Sequence, residues 1–238
     1  MQGKLYLIPN TLGGESTSDI IPQDVAKIAT SLRNFAVEDV KSARRLLRKM
    51  DREFPIDEAQ FFIVNKKSKM PDLYPLISIL KGGADVGIIS EAGCPGIADP
   101  GAELVGLAHQ NGIEIQPMVG PSSILLGLIG SGFSGQAFTF HGYLPRERKE
   151  RVHKLKDFEG DARRNGVTHI FMDTPFRNMN VLEDLLNELA DNTMLCIASD
   201  LTNYGQRITT LSVKDWREKA YDLNKIPTMF LIGKLQFT

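Results

Sequence analysis

Near its middle the chain passes from a short, largely apolar run at residues 86–90 into a long segment rich in glycine and proline, residues 91–101. It then enters a stretch with apolar side chains at Leu104, Val105, Leu107 and Ala108. A buried strand, a loop and an amphipathic helix in that order form the repeating unit of an α/β fold. The same alternation extends toward the start of the chain. Residues 5–9, 35–38 and 60–65 read as strands, as do residues 113–119 beyond the central helix. One helix carries Ala43, Leu46, Leu47 and Met50 at helical spacing, and another spans residues 71–80 with proline near its start.

After Gly120-Pro121 the pattern changes. An apolar helix at residues 122–129 and a glycine-rich exit lead to five strand-like segments at residues 137–143, 167–173, 194–199, 207–212 and 229–233. Only two helices, 148–162 and 178–189, are interleaved among them. Strands with so few crossovers pair in both directions. The expected fold is therefore α/β with two α/β domains: residues 1–119 with a mainly parallel sheet, and residues 120–238 with a mixed one.

A hydrophobic content of 42% is enough to build real cores. The formal net charge of −1 argues against a chain that holds nucleic acid by general electrostatic attraction, while leaving room for a local basic face. Cations gather in two places, at Arg44, Arg45, Arg48, Lys49 and Arg52, and again from Arg146 to Lys156. Acids such as Asp51 and Glu147 interrupt both, so a solvated helix face is the first reading and phosphate binding the second. Cys94 and Cys196 stand in no metal or redox spacing and suggest a reducing compartment. The apolar run at residues 5–8 is too brief for a signal-peptide core, and no run approaches the roughly 20 apolar residues of a membrane span. The expectation is a cytoplasmic protein.

Several familiar chemistries are missing. The first strand is followed by Asn10-Thr11-Leu12-Gly13-Gly14, without the G-x-G-x-x-G of a dinucleotide site, and no phosphate-binding G-x-x-x-x-G-K-[ST] occurs. No G-x-S-x-G marks a nucleophilic serine, and Ser122 and Ser123 stand at a helix start, where capping is their ordinary work. His109, His141, His153 and His169 show no metal-ligand spacing, so no metal is expected. His141 is set apart by its expected place at a strand end before Gly142. The segment at residues 91–101 stands out most. It follows a strand, where open α/β sheets bind ligands, and Gly93, Gly96 and Gly101 would let backbone approach one closely.

Read together, these segments resemble the tetrapyrrole methylase superfamily, and most closely its branch of 16S ribosomal RNA cytidine 2′-O-ribose methyltransferases. The strongest part is V-G-I-I-S-E-A-G-C-P-G-I-A-D-P-G-A-E-L at residues 86–104, against a family pattern near V-A-L-V-S-D-A-G-T-P-x-I-S-D-P-G-x-x-L. Gly120-Pro121-Ser122-Ser123, His141-Gly142-Tyr143-Leu144-Pro145-Arg146 and Thr174-Pro175-Phe176-Arg177 match further motifs in order. The resemblance implies S-adenosylmethionine as cofactor, held in a cleft between the domains. It places contacts at Leu12, Gly93, Gly96, Ile97, Ser122, Ser123, Pro175, Leu201 and the Pro227-Thr228 turn. It also implies a homodimer acting on ribosomal RNA. The first loop, Glu38-Asp39-Val40-Lys41, and Ser199-Asp200-Leu201-Thr202-Asn203 depart from the family pattern, as a divergent paralogue would. A small-molecule methylase or a non-catalytic cofactor-binding protein are the alternatives. Strand-end carboxylates available as a base are Glu38, Asp39, Glu91, Asp99, Asp173 and Asp200, each of which has capping or ion pairing as its ordinary role.

Overall fold

The computed structural model describes residues 1–14 and 17–235. The chain divides into two compact units, Met1–Ser122 and Ser123–Thr238, whereas the sequence reading put the boundary at Gly120.

The first unit is built on five strands, β1 (Leu5–Ile8), β2 (Asn34–Val37), β3 (Gln60–Ile63), β4 (Val86–Ile89) and β5 (Ile115–Pro117). They lie in the order β3-β2-β4-β1-β5, and every pairing is parallel. Helices α1 (Gln23–Ser31) and α2 (Val40–Met50) cover one face, where they bury Ile8, Phe35, Val37 and Ile89 with Ala29, Leu46 and Leu47. Helices α3 (Met70–Lys81) and α4 (Ala102–Gln110) cover the other, over Leu5, Ala36, Val86 and Ile88. Neighbouring residues such as Ala36 and Val37 thus enter opposite cores, the period of two expected of a strand buried on both sides. Burying one such leucine or isoleucine stabilises by about 1.5–3 kcal/mol. Because all five strands run the same way, the loops that follow them emerge along one edge.

The second unit begins with α5 (Ser123–Ser131) and continues with β6 (Phe138–Tyr143), α6 (Arg148–Asn165), β7 (Thr168–Met172) and α7 (Asn178–Glu188). It ends with β8 (Met194–Ser199), β9 (Arg207–Ser212), α8 (Val213–Arg217) and β10 (Thr228–Gly233). The order β6-β7-β10-β8-β9 pairs β6 with β7 in parallel and the others antiparallel, a mixed sheet as expected. Helices α6, α7 and α8 bury Phe158, Leu185 and Trp216 against Phe171, Ile197 and Phe230. The Trp216 indole donates to the Leu195 carbonyl at 2.8 Å, so its buried N–H is satisfied.

Two helices, α1 and α8, have no counterpart in the sequence reading. Strand β5 is also shorter than the expected 113–119. It is an edge strand ending at Pro117; the Met118 N–H still donates to the Leu7 carbonyl at 3.0 Å, and Val119 beyond it is exposed.

Candidate functional site

The strand-end loops of the first unit are tied together by Asn10. Its backbone N–H donates to the Gly93 carbonyl at 2.8 Å, and the Gly93 N–H returns a bond to the Asn10 carbonyl at 3.1 Å. The Asn10 side-chain amide donates to the carbonyls of Ser90 and Glu91, both at 3.0 Å, and its oxygen accepts from the Thr11 N–H at 2.8 Å. The Ser90 hydroxyl donates to the Gly93 carbonyl at 2.7 Å. Backbone from the loops after β1 and β4 is thereby fixed without help from regular structure.

A third segment closes against these two. A Cβ on Gly120 would stand 2.2 Å from the Pro9 side chain, so only glycine lets this turn lie flat on Pro9. The Cys94 thiol donates to the Pro121 carbonyl at 3.5 Å. Gly93 has φ of +66°, and a Cβ there would press on Leu12 Cδ2 at 3.3 Å and the Pro121 oxygen at 3.4 Å. Leu12, Gly93 and the Gly120–Ser122 turn are therefore brought together. Gly96, with φ of +80°, borders open space, and Ile97 is half-exposed on the same loop.

Three of the six candidate carboxylates gather at this edge. Because β2 lies beside β4, Glu38 stands near Asp99 and Glu91. Asp99 lines a pocket of about 250 Å³ with Lys66, Leu73 and Glu103, and a smaller adjoining one with Glu38 and Ser90. Desolvation, followed by the charge of Glu38, pushes the Asp99 carboxyl above its ordinary value; the Glu91 backbone opposes this and the Glu91 charge adds to it. The helix-capping role weighed for Asp99 is not what the structure shows. Gly101 is the N-cap of α4, and no side chain bonds there. Asp39 does cap, accepting from the Ser42 N–H at 2.7 Å at the start of α2.

In the second unit the loops after β7 and β8 meet the one before β10. The Lys225 N–H donates to the Pro175 carbonyl at 3.1 Å, and the Asp200 N–H to the Pro227 carbonyl at 2.9 Å. The Asn178 amide and the Thr228 hydroxyl both donate to the Ile226 carbonyl. Pro175, Leu201 and Thr228 thus share one edge of the sheet. Asp173 Oδ1 there is held by Arg177 and the Thr174 N–H, and Asp200 Oδ1 accepts from Asn203 at 2.7 Å. In the loops after β7 and β8 and at the start of α7, four buried polar atoms have no hydrogen-bond partner among the described residues: Asp173 Oδ2, Arg177 Nη1, Asn178 Oδ1 and Thr202 Oγ1. Such groups are costly unless something satisfies them.

His141 is not at a strand end. It lies within β6, stacked on Phe158 with ring centroids 3.9 Å apart, and its Nε2 is 2.8 Å from His169 Nδ1. Desolvation, with the charges of His169 and Lys154 adding to it, pushes it down to about 4, so it is neutral at pH 7. It belongs to the packing under α6. Burial likewise raises both thiols, Cys94 and Cys196, the latter to about 11, which leaves them protonated and poorly nucleophilic. A cavity of about 290 Å³ under Met194 and Gly233 lies at the opposite edge of the second sheet from these loops. Its one carboxylate, Glu159, is taken up by the Ala190 N–H and Thr193. Among the described residues no cluster of acids, histidines and cysteines is placed to hold a metal, and no helix is long and apolar enough to cross a membrane.

Two solved structures share this architecture. The crystal structure of the methyltransferase CobJ covers 98% of this chain and 94% of its own, with a TM-score of 0.63 at 18% identity. Uroporphyrin-III-C-methyltransferase from Thermus thermophilus covers 99% and 94%, with a TM-score of 0.55 at 16% identity. They establish the fold class, the two-unit α/β fold of the tetrapyrrole methylases. No family model matches the chain. Curated relatives match in sequence. Ribosomal RNA small subunit methyltransferase I of Thermotoga maritima is 32% identical over 235 residues, 98% of this chain and 99% of that protein. The protein of the same name from Haemophilus influenzae is 28% identical over 218 residues, 92% and 73%. That from Vibrio cholerae is 30% identical over 198 residues, and the match takes in 65% of its length. The chain belongs to the ribosomal RNA small subunit methyltransferase I family. It is a methyltransferase, and S-adenosylmethionine is its methyl donor.

The residues present suit that donor. A Cβ at Gly93 would crowd Leu12, whereas Gly96 faces open space, and orphaned buried acceptors and donors stand at the strand ends of the second unit.

Proposed function

We propose that this chain methylates a ribose 2′-hydroxyl of small-subunit ribosomal RNA. The match over nearly the full length of both chains to the Thermotoga maritima relative carries this reading. Departures at Glu38–Lys41 and in the loop after β8 fit a divergent paralogue that acts on the same class of acceptor. Leu12, Gly93, Gly96, Ile97 and Ser122 from the first unit would contact the cofactor, as would Ser123, Pro175, Leu201 and Thr228 from the second. When bound, the cofactor supplies an electrophilic methyl group.

The protein's own part is to hold the acceptor oxygen in line and to take its proton. Alignment lowers the barrier through proximity and orientation. Asp99, which lines a pocket beside Glu38, is the candidate to take the proton, and burial with the charges of Glu38 and Glu91 raises its proton affinity. The chain would work in the cytoplasm, where its RNA is, and as a homodimer. The superfamily resemblance supports the dimer, and Ile129, 78% exposed on α5, supplies apolar surface for it.

The deciding experiment incubates the protein with tritiated S-adenosylmethionine and small-subunit ribosomal RNA. Label is expected in the RNA, at a position that resists alkaline cleavage because its 2′-oxygen is blocked. Unlabelled RNA, with label appearing instead in a tetrapyrrole, would refute the proposal.

A further inference from the structure

The two groups of cations in the sequence have different fates in the structure. On α6, Arg151 is buried against Asp184, Arg148 binds Asp184 and Glu188, and Lys156 binds Glu188, so much of that charge is spent within the fold. On α2 the outcome is the reverse. Ala43, Leu46 and Leu47 turn into the core, and the opposite side of the helix and its exit present Lys41, Arg44, Arg45, Arg48, Lys49 and Arg52, all exposed. Only Arg44 has a carboxylate within ion-pair distance among the described residues, Asp57 at 3.8 Å. Arg48 donates to the Arg52 carbonyl and Lys49 to the Gly14 carbonyl, contacts that position these side chains without neutralising them.

A chain with a formal charge of −1 thus concentrates six cations along one helix face. Residues three and four apart on a helix stand roughly 5–6 Å apart, a spacing comparable to that of successive phosphates along one nucleic-acid strand. The nearby acids Asp51 and Glu53 lie at the helix exit, where the Asp51 carboxylate is engaged by the Glu53 N–H. The face is also continuous with the site. Helix α2 begins at its N-cap Asp39, next to Glu38, which lines the pocket of Asp99.

We infer that the exposed face of α2 is a docking surface for the phosphate backbone of the RNA substrate. This rests on the proposed ribosomal RNA reaction and assigns part of the chain to holding that substrate. Phosphate contacts fix register without reading sequence, which is what an enzyme acting at one ribose of a long RNA needs from a surface beside its site. Arginines whose charge no carboxylate offsets, as at Arg45, Arg48 and Arg52 among the described residues, are suited to it, since their guanidinium forks match phosphate geometry.

The test compares the parent with the triple variant Arg45→Gln/Arg48→Gln/Arg52→Gln, and with a control neutralised on α6, Lys149→Gln/Lys154→Gln. Binding of small-subunit ribosomal RNA is measured against salt concentration, and KM for the same RNA is measured alongside. Each lost phosphate contact lowers the slope of log K on log salt by roughly 0.7–0.9, so the triple variant should lose about 2–3 units of slope. Its KM for RNA should rise while its affinity for S-adenosylmethionine stays at the parent value, which shows that it folds. The control should keep the parent slope. A triple variant with the parent slope and KM, in a chain that methylates RNA, overturns the docking surface and leaves the proposed reaction standing. Parent RNA binding that depends on α2, without methylation, does the opposite. Binding to phosphatidylglycerol vesicles but not to RNA overturns both.

Discussion

Asn10 and Gly93 exchange backbone hydrogen bonds at 2.8 and 3.1 Å, so the loop after β1 and the glycine-rich loop after β4 are held as one piece. Neither residue lies in a helix or strand, yet the Asn10 side chain completes the joint by capping two further carbonyls. Asn10→Ala should leave the Ser90 and Glu91 carbonyls without that donor. A lost partner at a buried group costs about 1–3 kcal/mol. Denaturant unfolding should show a loss of that size, and calorimetric titration a weaker hold on S-adenosylmethionine. A variant as stable as the parent would show that the joint contributes nothing.

Gly93→Ala tests the same joint from the other side. Its φ of +66° disfavours a side chain, and the new Cβ would press on Leu12 and on the Pro121 carbonyl. Cofactor affinity should fall more than stability does, because the disturbed atoms are the ones assigned to binding. Equal cofactor affinity in parent and variant would remove Gly93 and Leu12 from the site.

Asp99 yields a prediction in pH. Its folded-state value is raised above the ordinary 3.8, so the folded protein holds the proton more tightly than the unfolded chain does. The associated stability is fully present below the unfolded value and is lost as pH rises through the folded one. Ionised Asp99 therefore costs stability at pH 7, and Asp99→Asn should raise the melting temperature there while lowering methylation. The gap in melting temperature should shrink as pH falls toward the ordinary carboxylate value. A gap of the same size at pH 4 and pH 7 would be inconsistent with this account.

The histidine pair runs in the opposite sense. His141 is pushed down to about 4 and His169 is also lowered, with Lys154 and Asp161 as the charged groups facing them. A histidine with a depressed value contributes stability that is present above its unfolded value near 6.5 and lost as pH falls through the folded one. Acid should therefore destabilise the second unit between pH 6.5 and about 4. His141→Gln keeps a donor for His169 and removes one of the titrating groups, so its stability should fall less steeply across that window.

How far this was legible in the sequence depended on whether the information was local. Apolar runs such as residues 86–90 and 194–199 locate β4 and β8 because a buried strand declares itself in its own residues. The pairing of Glu38 with Asp99 could not be read that way. It follows from β2 lying beside β4, a neighbour relation that periodicity does not carry. Helix α1 was missed because it buries only Val25 and Ala29 and starts at Pro22 without a side-chain cap. The proposed cofactor contacts Pro175, Leu201 and Thr228 could be named from motif resemblance alone. Their shared sheet edge comes from the antiparallel course of β10 between β7 and β8. The two basic helices looked alike in sequence, and only the acids of α7 distinguish them.

Those acids supply the last prediction. Arg151 and Asp184 are almost fully buried and meet at 2.7 Å, while Arg148 and the carbonyls of Pro145 and Arg146 complete the set of partners. Removing one member of a buried pair strands the other and costs about 3–5 kcal/mol, whereas replacing both with apolar groups of similar volume is often neutral. Asp184→Ala alone should be strongly destabilising. Arg151→Met/Asp184→Leu should recover most of that loss and give a large coupling energy in a double-mutant cycle. Because the pair lies beneath the turn that carries Pro145 and Arg146, the double variant also separates two roles. If it regains stability but not methylation, the ion pair serves to position that turn; if both return together, its role is confined to holding α6 on α7.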